Sequence, residues 1–301
     1  MKISVIVPVF NTEKWIARCL ESLNNQTFKD YEVIIIDDCG GDNAIHIAEE
    51  FANKDQRIRI IHHNENKGLM IARRTGYLNA RGEFIMFLDS DDTLPPNSLK
   101  LLHSSISQVN ADIVIGGYTY LHLSGDSKTY VPKYSHNFTS KELFIELLSG
   151  KITHNLAFGI FKRSLFNNKL ISIPKQTNGE DLILFYQLVG YSSKIAFCGN
   201  SIYNYFENSA SSSNSILTSE KIRQFINTQN FKISYLIDKG VNIHVILRNI
   251  VPIVSRWYHH RTAISQIGNL NPIIIDAMKP INSKRYMNLK QWLRFITHSL
   301  N

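Results

Sequence analysis

Cysteine is sparse in this chain and carries no pattern. Cys19, Cys39 and Cys198 form no C-x-x-C pair and offer no zinc spacing, and an odd, thin set of thiols points to a reducing cytoplasm. Long hydrophobic runs are missing too: none approaches the ~18 residues that would suggest a membrane-spanning helix. The first residues, Met1-Lys2-Ile3-Ser4, enter a strand-like run at once, and no signal peptide is visible. The G-x-G-x-x-G fingerprint is absent. After the first apolar run the sequence reads Val9-Phe10-Asn11-Thr12-Glu13, which argues against a dinucleotide dehydrogenase. The same residues lack the Gly-rich, basic loop of a nucleotidyltransferase. Acidic residues are scarce at one end: residues 215–301 hold 3 Asp/Glu against 12 Lys/Arg, and the remainder holds 22 against 21. The net charge of +8 therefore belongs to the C-terminal segment. Such asymmetry suits an anionic partner, either a membrane surface or a nucleic acid.

What is present is apolar content, 44% over 301 residues. That is ample for one large domain, alone or with an appendage. Ile3 to Phe10 is β-rich, with Pro8 at the strand's end because it lacks an N–H. Asn11 or Thr12 caps a helix to about residue 25, whose apolar face is Trp15, Ile16, Cys19, Leu20 and Leu23. Tyr31 to Ile36 is a second strand. It ends in Asp37-Asp38-Cys39-Gly40-Gly41-Asp42, where the glycines allow a tight turn and Asp42 caps a helix over 43–54. Further strands are expected at 57–62, 84–88 and 111–116, separated by a helix carrying Ala72, Arg73, Arg74 and Gly76 and by a helix over 95–108. The alternation predicts an α/β fold, a mostly parallel sheet with helices on both faces. After Gly117 it stops. A hairpin over 118–131, a helix near 140–149, a strand near 157–162, a loop over 174–179, a helix opened by Glu180-Asp181 and a strand over 194–205 follow. Residues 206–219 are rich in Ser and Asn, and from Glu220 the pattern is helical. The expected division is a domain over 1–215 and a helical, basic segment over 216–301.

The densest chemistry lies in Glu83-Phe84-Ile85-Met86-Phe87-Leu88-Asp89-Ser90-Asp91-Asp92. The apolar run reads as a buried parallel strand, and three carboxylates follow at its carboxyl end, where open α/β sheets bind ligands. Like charges so close call for a cation. Oxygen ligands alone suit Mg²⁺ or Mn²⁺, and such an ion commonly bridges phosphate oxygens. The plainer reading is an acidic turn in which Asp92 or Thr93 caps a helix opened by Pro95 and Pro96.

Five motifs occur in register: I-V-P-V-F-N at 6–11, I-I-D-D-C-G-G-D at 35–42, N-K-G-L-M-I-A-R-R-T-G at 66–76, G-E-F-I-M-F-L-D-S-D-D at 82–92 and G-E-D at 179–181. In this order the chain resembles the family 2 glycosyltransferases over about residues 1–215. The resemblance implies the GT-A nucleotide-diphospho-sugar transferase fold and a UDP-sugar donor. It implies that Pro8 and Phe10 line the base pocket and that Asp38 accepts the N3–H of uracil. Arg73 would lie near the nucleotide; Asp89 would touch the ribose and approach the metal; Ser90 would add a polar contact; Asp91 would ligate Mn²⁺ or Mg²⁺. Asp181 would be the catalytic base of an inverting transfer, with Glu180 its neighbour. Two motifs depart from the family pattern: Cys39-Gly40-Gly41 replaces the middle of D-D-G-S-x-D, and Arg74 replaces the Asn of A-R-N. The later Y-x-Y-R pattern appears as Tyr203-Asn204-Tyr205-Phe206, without its Arg.

Residues 283–301 complete the reading. Tyr286, Leu289, Leu293, Ile296 and Leu300 make an apolar stripe, Trp292 and Phe295 flank it, and Lys290, Arg294 and His298 lie on another face. This composition fits a helix lying on anionic lipid, and equally a helix packed on its own domain with a solvated basic face. No nucleic-acid module is present, which disfavours DNA or RNA as the partner. The expectation is a cytoplasmic enzyme, peripheral on the inner membrane face, that extends a glycan or lipid-linked glycan acceptor.

Overall fold

Ile3–Val9 forms strand β1, and every one of its residues is buried. A strand covered on both faces belongs inside a sheet. β1 pairs in parallel with β2 (Tyr31–Asp37) on one side and with β4 (Phe84–Phe87) on the other, so that Ile3 lies opposite both Tyr31 and Phe84. β3 (Ile58–His62) extends the sheet beyond β2. The connecting helices are α1 (Glu13–Asn24), α2 (Ala44–Lys54) and α3 (Leu69–Leu78). Because β1, β2 and β4 run the same way, their carboxyl ends bring residues 9–11, 37–42 and 88–92 to one edge. The chain winds outward from β1 through β2 to β3 and then returns to β4 on the opposite side. The gap between β1 and β4 is therefore a switch point of the kind that holds ligands.

In this computed structural model residues 1–153, 155–173, 176–208, 218–257, 271–278, 282 and 285–287 are described. The remaining strands are β5 (Ile113–Leu121), β6 (Ser127–Tyr130), β7 (Gly159–Lys162) and β8 (Ile195–Phe206), and the sheet has the order β3-β2-β1-β4-β7-β5-β6, with β8 also paired to β5. The fifth strand, β5, does not continue the parallel series directly. β7 inserts antiparallel between β4 and β5. Gly159 permits this approach, since a Cβ there would collide with the Val114 carbonyl. β6 closes the expected hairpin on β5, and β8 lies parallel to β5.

Helix starts depart from expectation in three places, the first being α1, where Thr12 stands at the N-cap but its side chain makes no capping hydrogen bond. Asn43 and not Asp42 stands at the N-cap of α2; Asp42 Oδ2 accepts Glu13 N–H at 2.7 Å and Oδ1 accepts Ala44 N–H at 3.2 Å, so it ties the starts of α1 and α2 together. α4 (Ser98–Val109) begins past the two prolines with Asn97 at its cap. Neither Asp92 nor Thr93 caps it.

The chain divides into two compact units. The first is Met1–Ser140, His154–Ile173 and Gln187–Asn214, and the second is Lys141–Thr153, Pro174–Tyr186 and Ser215–Asn301. The second therefore takes in 141–153 and 174–186 as well as the expected C-terminal segment. It holds most of α5 (Ser140–Leu148), the start of α6 (Glu180–Tyr191), α7 (Ser219–Asp238), α8 (Ile243–Trp257) and α9 (Pro272–Met278). Phe144 stacks on Tyr186 at 5.4 Å and meets Tyr235 edge-on at 6.3 Å. Ile226, Ile233, Ile246, Ile250 and Ile274 are buried. No described helix is long and apolar enough to cross a membrane. The amphipathic helix expected over 283–301 lies outside the described residues except at 285–287.

Candidate active site

The end of β1 supplies an open aromatic. Pro8 is buried as the penultimate strand residue, and Phe10, just past the strand, is 46% exposed. Asn11 adopts φ 54° and its Oδ1 accepts Gly41 N–H at 2.7 Å. The turn after β2 thus presses against the end of β1. Gly40 allows it, because a Cβ there would lie 2.8 Å from Asn11 N. The left-handed residue of this turn is Cys39, at φ 57°, and not a glycine. Its amide donates to Asp37 Oδ1 at 3.0 Å and its thiol donates to the His63 carbonyl, which turns the side chain inward.

Asp38 is 3% exposed and heavily engaged. Oδ1 accepts Lys67 N–H at 2.9 Å and Oδ2 accepts Gly68 N–H at 2.8 Å. His63 Nδ1 lies 2.7 Å from Oδ1, and His63 Nε2 lies 2.8 Å from Thr75 Oγ1. A carboxylate only accepts, so Nδ1 carries the hydrogen and a neutral ring then accepts from Thr75 at Nε2. Three of the roughly four acceptor positions of the carboxylate are filled, leaving about one on Oδ2. Asp38 is therefore the clamp that holds the 63–68 loop to β2.

The acidic turn follows β4. Leu88 N–H still donates to Ile6 O at 3.0 Å, and Asp92 N–H closes the turn on Asp89 O at 3.0 Å. Arg73, buried on α3, donates to Asp89 Oδ1 at 2.7 Å and lies over the Phe87 ring at 5.8 Å. Ser90 is buried beside it. Asp91 Oδ2 accepts from Asn208 Nδ2 at 3.0 Å. Asp92 accepts from the Tyr203 hydroxyl at 2.7 Å and from Phe206 N–H at 2.8 Å, and the same hydroxyl accepts Asp89 N–H at 3.2 Å. The end of β8 is thereby strapped across the turn. Asp92 is thus the carboxylate that fixes the strap.

Burial and mutual repulsion make ionisation of this turn costly. Burial raises the Asp91 pKa, against the Asn208 hydrogen bond, and Asp89 adds to the rise. Burial first, then Asp89 and Asp91, push Asp92 up to about 8. Tyr205 is raised to about 12 by burial and by the same three carboxylates. Arg73 pairs with Asp89, and the Arg18 charge acts against the rise at Asp91. A hard divalent cation at Asp91, beside Asp89, fits this donor set and would relieve the repulsion. Among the described residues no three His, Cys, Asp or Glu side chains form a ready-made cage. Mg²⁺ held by one or two carboxylates commonly completes its shell with water and substrate phosphates.

Asp181 occupies the first turn of α6, half-buried, with Oδ1 accepting Leu182 N–H at 2.7 Å. Its neighbour Glu180 is buried. The loop before them is held against α7: Gln176 Nε2 donates to Thr228 Oγ1 at 3.0 Å, and Asn178 Nδ2 donates to Gln224 Oε1 at 2.8 Å. Gly179 sits at φ 78°, where a Cβ would strike Thr228.

Arg18, His63, Asn208, Gln224 and Thr228 were not among the residues singled out from sequence, and Tyr203 was named only within the Y-x-Y-R pattern. Most lie far along the chain from the groups they touch, so no local spacing marks them. His63 carried one cue, following the His62 that ends β3, and Tyr203 another, its Y-x-Y-R pattern.

A model of the family "Glycosyl transferase family 2" matches residues 4–172. The chain is 28% identical over 275 residues to the glycosyltransferase GlyG of Streptococcus pneumoniae serotype 4, covering 86% of this chain and 90% of that one. It is 29% identical over 210 residues to the poly(ribitol-phosphate) beta-N-acetylglucosaminyltransferase TarS of Staphylococcus aureus, covering 68% of this chain and 35% of TarS. In fold it is similar to the crystal structure of S. aureus TarS 1–349 in complex with UDP-GlcNAc, with a TM-score of 0.74 at 19% identity over 100% of this chain and 88% of that one.

Proposed function

Since the chain belongs to glycosyl transferase family 2 and is a glycosyltransferase of GT-A-like fold, we propose that it is a metal-dependent, inverting enzyme. It moves a sugar from a UDP-sugar to a hydroxyl of a glycan acceptor, one built as a surface-polysaccharide precursor on a lipid. The observation that carries this reading is the buried carboxylate turn 89–92 at the carboxyl edge between β1 and β4. The TarS structure that holds UDP-GlcNAc supports a UDP-sugar as donor. The name of TarS, a poly(ribitol-phosphate) beta-N-acetylglucosaminyltransferase, supports a polymeric acceptor.

Phe10 offers its exposed ring to the uracil face. The remaining acceptor position of Asp38 takes the uracil N3–H; cytosine has no hydrogen there. Asp89, steadied by Arg73, contacts the ribose, and Ser90 adds a polar contact. Asp91, with Asp89, would hold Mn²⁺ or Mg²⁺, which when bound neutralises charge building on the leaving UDP. Asp181 removes the acceptor hydroxyl's proton as that oxygen attacks the anomeric carbon from the face opposite UDP. One protein carboxylate at the sugar suffices, and the anomeric configuration inverts. The basic segment would bring the enzyme to anionic lipid on the inner membrane face.

The test separates binding from chemistry. Asp181→Asn should lower kcat by roughly 10²–10⁴-fold and leave the calorimetric Kd for UDP unchanged. An Asp181→Asn enzyme of wild-type kcat would remove Asp181 as the base.

A further inference from the structure

One cation touches the acidic turn without any part in the reaction above. Arg18 stands on α1, and its Nη2–H donates to the main-chain carbonyl of Asp91 at 2.6 Å. The same guanidinium lies over the Phe206 ring, 3.5 Å from its centroid. Its Nε is buried with no hydrogen-bond partner, so the group is held by this hook and this stack. Phe206 is itself tied to Asp92 through its amide, and two residues later Asn208 reaches the Asp91 carboxylate. The guanidinium is thus clasped between the turn and the last residues of β8.

The chemistry selects arginine. A planar guanidinium hydrogen-bonds in its plane and stacks through its face at once, and an ammonium does not. A bond to the Asp91 carbonyl fixes the rotation of that peptide, and the Asp91 side chain leaves the adjoining Cα. Fixing the carbonyl therefore fixes where the carboxylate points.

We propose that Arg18 is a positioning residue for the donor site: hooked on the Asp91 carbonyl and stacked on Phe206, it locks the strap 203–208 to the acidic turn and aims the Asp91 carboxylate at the divalent cation of the donor diphosphate. This rests on the metal-dependent reading of the site. Arg18 touches neither substrate nor ion; it acts through Asp91.

The test is a double-mutant cycle on the full chain, read by calorimetric Kd for UDP in Mn²⁺ and in EDTA. Arg18→Met and Phe206→Leu should each weaken UDP binding about tenfold in Mn²⁺ and leave the EDTA value unchanged, and the double variant should be no worse than either single one. Phe206→Tyr should restore the Mn²⁺ affinity, and Arg18→Lys should not. Equal weakening in EDTA and Mn²⁺, or strictly additive losses, would overturn the proposal and leave the metal reading intact. A wild type whose UDP affinity ignores Mn²⁺ would overturn both.

Discussion

Among single residues Asp38 serves two demands. Three donors from the 63–68 region already bind it, and the proposed uracil contact uses what remains. Its orientation therefore depends on His63, a buried ring with a partner on each nitrogen. His63→Ala should lower stability by about 1–3 kcal/mol, the cost of stranding buried partners, read as a lower urea midpoint. It should also weaken UDP binding. Unchanged stability would mean that the pair is incidental. Gly40 makes a second test. Gly40→Ala forces a Cβ onto Asn11 N, next to Phe10, and should cost about 1–3 kcal/mol as an overpacked site. Cys39 belongs beside it: a β-carbon in the left-handed region costs about 1–2 kcal/mol in isolation, and the thiol bond to the His63 carbonyl offsets part of that. At this scale the sequence showed the carboxylates and hid their partners. Asp89 and Asp91 stand in a short acidic run after an apolar strand, which is a local signal. Tyr203 and Asn208 reach that run only because β8 returns beside β5, and the Y-x-Y-R pattern marked Tyr203 without showing this contact.

At the scale of elements the same division holds. β1, β2 and β4 were legible because a continuous apolar run bounded by turn residues is a property of neighbours in sequence. The insertion of β7 between β4 and β5 was not. Strand order depends on distant pairing, and the local cue is Gly159, whose missing Cβ makes room for Val114. α7 was legible as a helix, but its polar buried stripe was not. Gln224 and Thr228 hold the loop that opens α6, and Lys232, a turn further on, is buried over the Tyr186 ring at 5.5 Å. Burial lowers the Lys232 pKa to about 8. A lysine with a depressed folded pKa binds fewer protons folded than unfolded. It therefore destabilises most below pH 8, and the penalty fades as pH rises from about 8 to 10.5. Lys232→Met should raise stability at pH 7 by about 3 kcal/mol, as the size of the shift implies, with the gain shrinking toward pH 10. A constant gain across that range, by thermal denaturation, would exclude a titrating Lys232.

The whole molecule joins a sheet-based unit of near-neutral charge to a helical unit that carries the basic excess. If that excess serves attachment, the protein should sediment with anionic vesicles at low salt and be released at high salt. Replacing Lys284, Arg285, Lys290 and Arg294 with Gln should abolish sedimentation and leave turnover of a water-soluble acceptor unchanged. Retained sedimentation would remove this segment from membrane attachment. The central chemistry is tested most directly by UDP release from a panel of UDP-sugars, in Mn²⁺ and in EDTA, for the wild type and Asp91→Ala. The expected result is turnover of one UDP-sugar by the wild type in Mn²⁺, lost in EDTA and lost in Asp91→Ala. Turnover that persists in EDTA and in Asp91→Ala would contradict a metal held at the acidic turn.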